Sequence, residues 1–82
     1  MAQNQPTGTE RVEAMSDVTY DIVTVLSNCA EAVDALDEYI DDAKKSNDRD
    51  ALNLFENLRQ DEIRHCDMTK NLIDNLVRQG KF

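Results

Sequence analysis

Between Thr9 and Gln79 the chain contains neither proline nor glycine. Its single proline, Pro6, and its two glycines, Gly8 and Gly80, all lie near the ends. Some seventy consecutive residues without a strong breaker argue for long helices and against a sheet, whose turns need glycine, proline or both. The spacing of apolar residues agrees. From Ile22 through Leu26, Cys29, Val33, Leu36, Ile40 and Ala43 the steps alternate four and three. That is the seam of a helix packed lengthwise against another helix. Val18, Val25, Ala32 and Tyr39, each seven apart, form a second stripe beside it. A face this wide predicts more than one neighbour.

The first helix is expected from about Glu10 to about Lys45. Thr9 would be its N-cap, Glu10 and Glu13 would suit the positive end of its dipole, and Met15 would be an early apolar position. Residues 1–9 read as a disordered lead, and residues 10–82 as one two-helix unit. Lys44 and Lys45 place positive charge at the helix C-terminus, and Ser46, Asn47 and Asp48 are turn residues. Asn47 or Asp48 would cap a second helix running from about Arg49 to about Gln79, with Gly80 closing it. So short a turn requires the two helices to be antiparallel. In the second helix the seam reads Phe55, Leu58, Glu62, His65, Thr69, Leu72, Leu76, flanked by Leu52, Ile63, Cys66, Ile73 and Val77. The predicted fold class is all-α, an antiparallel helical hairpin. With 82 residues, one hairpin has too little core to stand alone, so self-association is expected.

Charge narrows the partners. Seventeen acidic residues against nine basic ones leave a net charge of −8, which disfavours nucleic acid, whose phosphates need clustered lysine and arginine. The run Asp34, Asp37, Glu38, Asp41 and Asp42 reads as a solvated acidic face that would draw in cations. No apolar run is long enough to span a membrane. The N-terminal stretch lacks the basic and apolar regions of a signal peptide, and two cysteines make no disulfide framework. A cytoplasmic location is the expectation.

The chemistry concentrates at Glu62-Ile-Arg-His65. Residues three apart share one helix face, and these two occupy seam positions where an apolar residue is the norm. A buried carboxylate must be paired or must coordinate a metal. Carboxylate-bridged two-metal sites in helical bundles draw a Glu from each of two helices and a Glu-x-x-His from each of two others. Two hairpins related by a twofold axis would supply the two Glu-x-x-His motifs. The alternative is that Glu62 and His65 line a solvated edge beside Arg59 or Arg64. The cysteines leave three readings open. In a hairpin turning near Asn47 and Asp48, positions whose numbers add to about 95 face each other, as Cys29 and Cys66 do. They could be small buried hydrophobes, a cross-helix disulfide, or, with His65, a soft-metal site favouring zinc.

The stretch Ala35-Leu-Asp-Glu-Tyr39, followed by Leu-Arg-Gln-Asp-Glu62-Ile-Arg-His65-Cys-Asp-Met68, resembles the ferritin-like superfamily. Within it, the resemblance is to the two-helix encapsulated ferritins over roughly residues 22–75. The resemblance implies that two hairpins dimerise into a ferritin-like four-helix bundle and that dimers join into a decamer. It implies an iron site across the dimer interface that oxidises Fe(II), with Glu62 and His65 as ligands and Tyr39 close by, inside an encapsulin shell. Zinc and manganese are alternative metals. Glu31 and Asp34 resemble acidic residues that bind cations such as calcium at a second interface. Two features depart from the family pattern. Ala32 stands where the family has its first-helix glutamate ligand, with Glu31 adjacent but turned about 100° away on an ideal helix. The residues up to Phe82 also include no counterpart of the family's shell-docking extension. Two further readings follow: a structural ferritin-like oligomer with a degenerate site, or a helical interaction module without metal.

Overall fold

In a computed structural model of the chain, which describes residues 14–82, two α-helices pack as a hairpin. The first, α1, is Asp17–Lys45, and the second, α2, is Arg49–Arg78. Both helices are unbroken, as a stretch free of glycine and proline allows.

The start of α1 corrects the expectation of a helix from about Glu10. Ala14 and Met15 lie in a bend, and Ser16 is the N-cap. Its hydroxyl accepts from the Thr19 amide at 3.2 Å and donates to the Thr19 hydroxyl at 2.9 Å, which accounts for Thr19 being a buried polar residue. Asp17 supplies the first-turn carboxylate. Thr9, Glu10 and Glu13, proposed for these roles, lie outside the described residues.

The turn is made of two interlocked caps. Past the α1 C-cap Ser46, Asn47 takes a left-handed conformation with φ 55°. The Asn47 amide donates to the Lys44 carbonyl at 3.2 Å and the Asp48 amide to the Ala43 carbonyl at 3.0 Å. This pair of bonds is a Schellman motif, with asparagine where glycine is usual. Asp48 is also the α2 N-cap, its carboxylate accepting from the Ala51 amide at 3.0 Å. The division of roles is therefore settled: Asn47 reverses the chain and Asp48 caps. At the far end α2 closes with a second Schellman motif. Gly80 has φ 70°, its amide donates to the Val77 carbonyl at 3.1 Å, and the Lys81 amide donates to the Leu76 carbonyl at 2.8 Å.

The α1 seam lies as the spacing predicts: Cys29, Leu36 and Ala43 are buried, and Ile22, Leu26, Val33 and Ile40 are half-buried. The α2 seam is rotated by one row. Leu52, Phe55, Arg59, Glu62, Cys66, Thr69, Ile73 and Leu76 are the half-buried row with alternating three and four steps. Leu58, His65 and Leu72, expected in the seam, are on the neighbouring row, with Leu58 at 41% and Leu72 at 46% exposure. The register matches expectation: Tyr39 packs on Phe55 with ring centroids 5.6 Å apart, and Arg59 pairs with Asp37. Among the described residues none of α2 is buried, so the hairpin is one layer with a thin line of core. A domain normally closes its apolar stripes against a second layer.

Candidate metal site

Glu62 and His65 sit near the middle of α2, separated by one helical turn. Glu62 Oε1 lies 3.4 Å from His65 Nδ1, so the side chains converge on one spot as the i, i+3 spacing demands. Their side chains are 32% and 48% exposed. Glu62 belongs to the row that meets α1, and His65 to the adjacent, exposed row. Arg59 and Arg64, the cations that could have neutralised Glu62, are engaged elsewhere: Arg59 with Asp37 at 2.6 Å and Arg64 with Asp61 at 3.1 Å. The Thr69 hydroxyl donates to the His65 carbonyl at 2.8 Å, one turn further on.

Further from the turn, Val18, Asp21, Ile22, Val25, Met68, Thr69 and Leu72 line a mostly apolar groove of about 340 Å³ along one face of the hairpin. Val18 and Val25 belong to the seven-residue stripe that continues through Ala32 to Tyr39, and Leu72 to the row that contains Leu58 and His65. Val18, Val25, Tyr39, Leu58, Met68 and Leu72 are all exposed. His65 thus stands between Leu58 and Leu72 on the exposed row, with Glu62 on the contact row beside it.

On the α1 side of the pair lies Cys29. Its thiol pKa is pushed up, first by burial, then by the adjacent Cys66 thiol and the hydrogen bond with it, then by the negative charge of Glu62. A hydrogen bond from the backbone opposes these. Both cysteines are free thiols. Of the three readings of the pair, Cys29 fits the small buried hydrophobe, while Cys66 is half-buried.

Tyr39 lies against Phe55, seven residues from Glu62 and therefore about two turns nearer the bend. Glu31 and Asp34 are exposed. Because α1 runs unbroken through them, no local shift turns Glu31 toward the row of Ala32, and Ala32 itself is half-buried. Among the described residues, no three His, Cys, Asp or Glu side chains of one chain are grouped closely enough to hold a metal ion. One hairpin therefore offers two ligands, one oxygen and one nitrogen. The cross-helix pair Arg59–Asp37 was not foreseen, although the facing rule that matches Cys29 with Cys66 also brings these two within one residue of each other.

No protein-family model, curated protein or solved structure matches the chain. No described helix is long and apolar enough to cross a membrane.

Proposed function

We propose that two hairpins pack through the open apolar strip into a four-helix bundle, and that Glu62 and His65 of each chain together hold a divalent transition metal. The supporting observation is the Glu62–His65 pair, 3.4 Å apart and without a cationic partner, on a strip of exposed apolar side chains. Val18, Val25, Leu58 and Leu72 are already partly covered, so each gains on the order of 1 kcal/mol on full burial, which drives closure of the strip. Closure would also bury a carboxylate and an imidazole. That is costly unless a metal or a paired charge receives them.

Two carboxylates and two imidazoles suit iron, manganese or zinc. The resemblance to two-helix encapsulated ferritins favours iron, with Fe(II) oxidation as the chemistry. Bound iron would supply electrons to oxygen, and the chain would supply ligands and a dry setting. The same resemblance favours a larger ring of dimers in an encapsulin shell, with Glu31 and Asp34 at a second cation site such as one for calcium. One observation favours a second reading, a structural oligomer with a degenerate site: Ala32 contributes no ligand, so the ligand set holds one ion more readily than two.

The test combines light scattering with elemental analysis of protein loaded with Fe(II), and then oxygen consumption. A dimer or larger assembly binding metal, with binding lost in Glu62→Ala and His65→Ala, supports the site. A folded monomer at micromolar concentration, or equal metal content in all three proteins, overturns it. Metal binding without oxygen consumption selects the degenerate reading.

A further inference from the structure

Midway along the seam the two cysteines meet. Cys29 is buried in the α1 contact row, and Cys66 is half-buried in the α2 contact row. Their register follows from pairs nearer the turn, Tyr39 on Phe55 and Asp37 on Arg59. Continued outward along two unbroken helices, that register sets Cys29 opposite Cys66. The two thiols are neighbours, and both are free.

We propose that Cys29 and Cys66 form a dithiol that closes into an intrachain disulfide, stapling α1 to α2 at mid-length, on reaction with a small-molecule disulfide. The thiolate of Cys66 attacks one sulfur of the reagent. The reagent's sulfur–sulfur bond breaks, one thiolate leaves, and a mixed disulfide remains on Cys66. The thiolate of Cys29 then attacks the Cys66 sulfur, forms the Cys29–Cys66 bond and expels the second thiolate. The two protons of the cysteines pass to the two departing thiolates. The protein loses two electrons and the reagent gains two.

Access fixes the order. Cys66 is open enough to meet a reagent, whereas Cys29 is shielded from one. Cys29 is therefore poorly placed for the first attack but well placed for the second. The bond would close a loop that spans the whole turn, restricting the unfolded chain more than a short loop would. The inference is independent of metal binding at Glu62 and His65.

The experiment treats the full chain, free of metal, with oxidised glutathione. It follows free thiols, intact mass, non-reducing electrophoresis and melting temperature. Free thiols should fall from two to none, and the mass should drop by two hydrogens with no adduct. The chain should run without a covalent partner and melt several degrees higher until a reductant restores the original value. Cys29→Ser should stop at a stable glutathione adduct on Cys66, and Cys66→Ser should stay unreacted until unfolded. A disulfide-linked dimer, a stable adduct on the wild-type chain, or thiols that react in denaturant but not in the folded protein would each overturn the proposal.

Discussion

Arg59 reaches from the α2 contact row to Asp37 on α1, Nε to Oδ1 at 2.6 Å. It does so from a position that a helix seam normally reserves for an apolar residue. The pairs Arg64–Asp61, Lys70–Asp67 and Arg78–Asp74, like His65–Glu62, run along α2 itself. Because the Arg59 and Asp37 side chains remain partly exposed, the pair contributes about 1 kcal/mol or less. Asp37→Ala should therefore cost little in urea unfolding, and roughly 1 M salt should erase most of that difference. Arg59→Leu should stabilise the hairpin, since leucine extends the apolar row and leaves Asp37 in water.

The turn makes a sharper prediction. Asn47 has φ 55°, a region costly for residues with a side chain and least so for asparagine and glycine. Asn47→Gly should be neutral or stabilising, and Asn47→Ala should cost about 1 kcal/mol. Asp48→Ala should cost about as much by removing the cap on the Ala51 amide. Thermal unfolding of the three variants should show this order, with Asn47→Gly highest.

Alkaline pH should destabilise the reduced protein through Cys29. The folded chain holds this thiol above its ordinary value of 9.0, chiefly by burial, so it keeps the proton where the unfolded chain has lost it. The contribution is fully present below the unfolded value and is lost as pH rises through the folded one. Melting temperature measured upward from about pH 8 should fall more steeply for wild type than for Cys29→Ala. Parallel curves would contradict the assignment.

Metal and stability should be linked through Glu62 and His65. Adding Fe(II), Co(II) or Zn(II) should raise the melting temperature of wild type, because a ligand bound to the folded assembly alone stabilises it by mass action. Glu62→Ala should abolish most of that shift. Glu62→Leu combined with His65→Leu should match or exceed metal-loaded wild type without any metal. Ala32→Glu should raise the number of ions bound per dimer, measured by elemental analysis.

Much of the hairpin was legible because helical periodicity survives without tertiary information. On α1 one row dominates, from Ile22 to Ala43, and the structure uses that row. On α2 two rows share Phe55, Glu62, Thr69 and Leu76 and both alternate three and four. One adds Leu58, His65 and Leu72, and the other Leu52, Arg59, Cys66 and Ile73. Two of the three residues that the first row adds are apolar, against three of the four that the second adds, so apolar content hardly separates them and the α1 surface selects the second. The start of α1 was obscured for a similar reason. Thr9 before Glu10 and Ser16 before Asp17 are equally good cap signatures, and the Ser16–Thr19 hydroxyl bond appears only once the helix exists. The Glu62–His65 pairing was legible from spacing alone, whereas its position at the edge of the seam depended on the rotation of α2.

The doubling of Asp48 as the end of one cap and the start of the next leaves the connection with no slack residue. A single insertion there would turn α2 by about 100° against α1, separating Cys29 from Cys66 and breaking the open strip into fragments. Lengthening or shortening is tolerable only in matched seven-residue steps on both arms, far from the bend. In evolutionary terms, the hairpin can change size by whole repeats or diverge by substitution, but its turn is closed to drift in length.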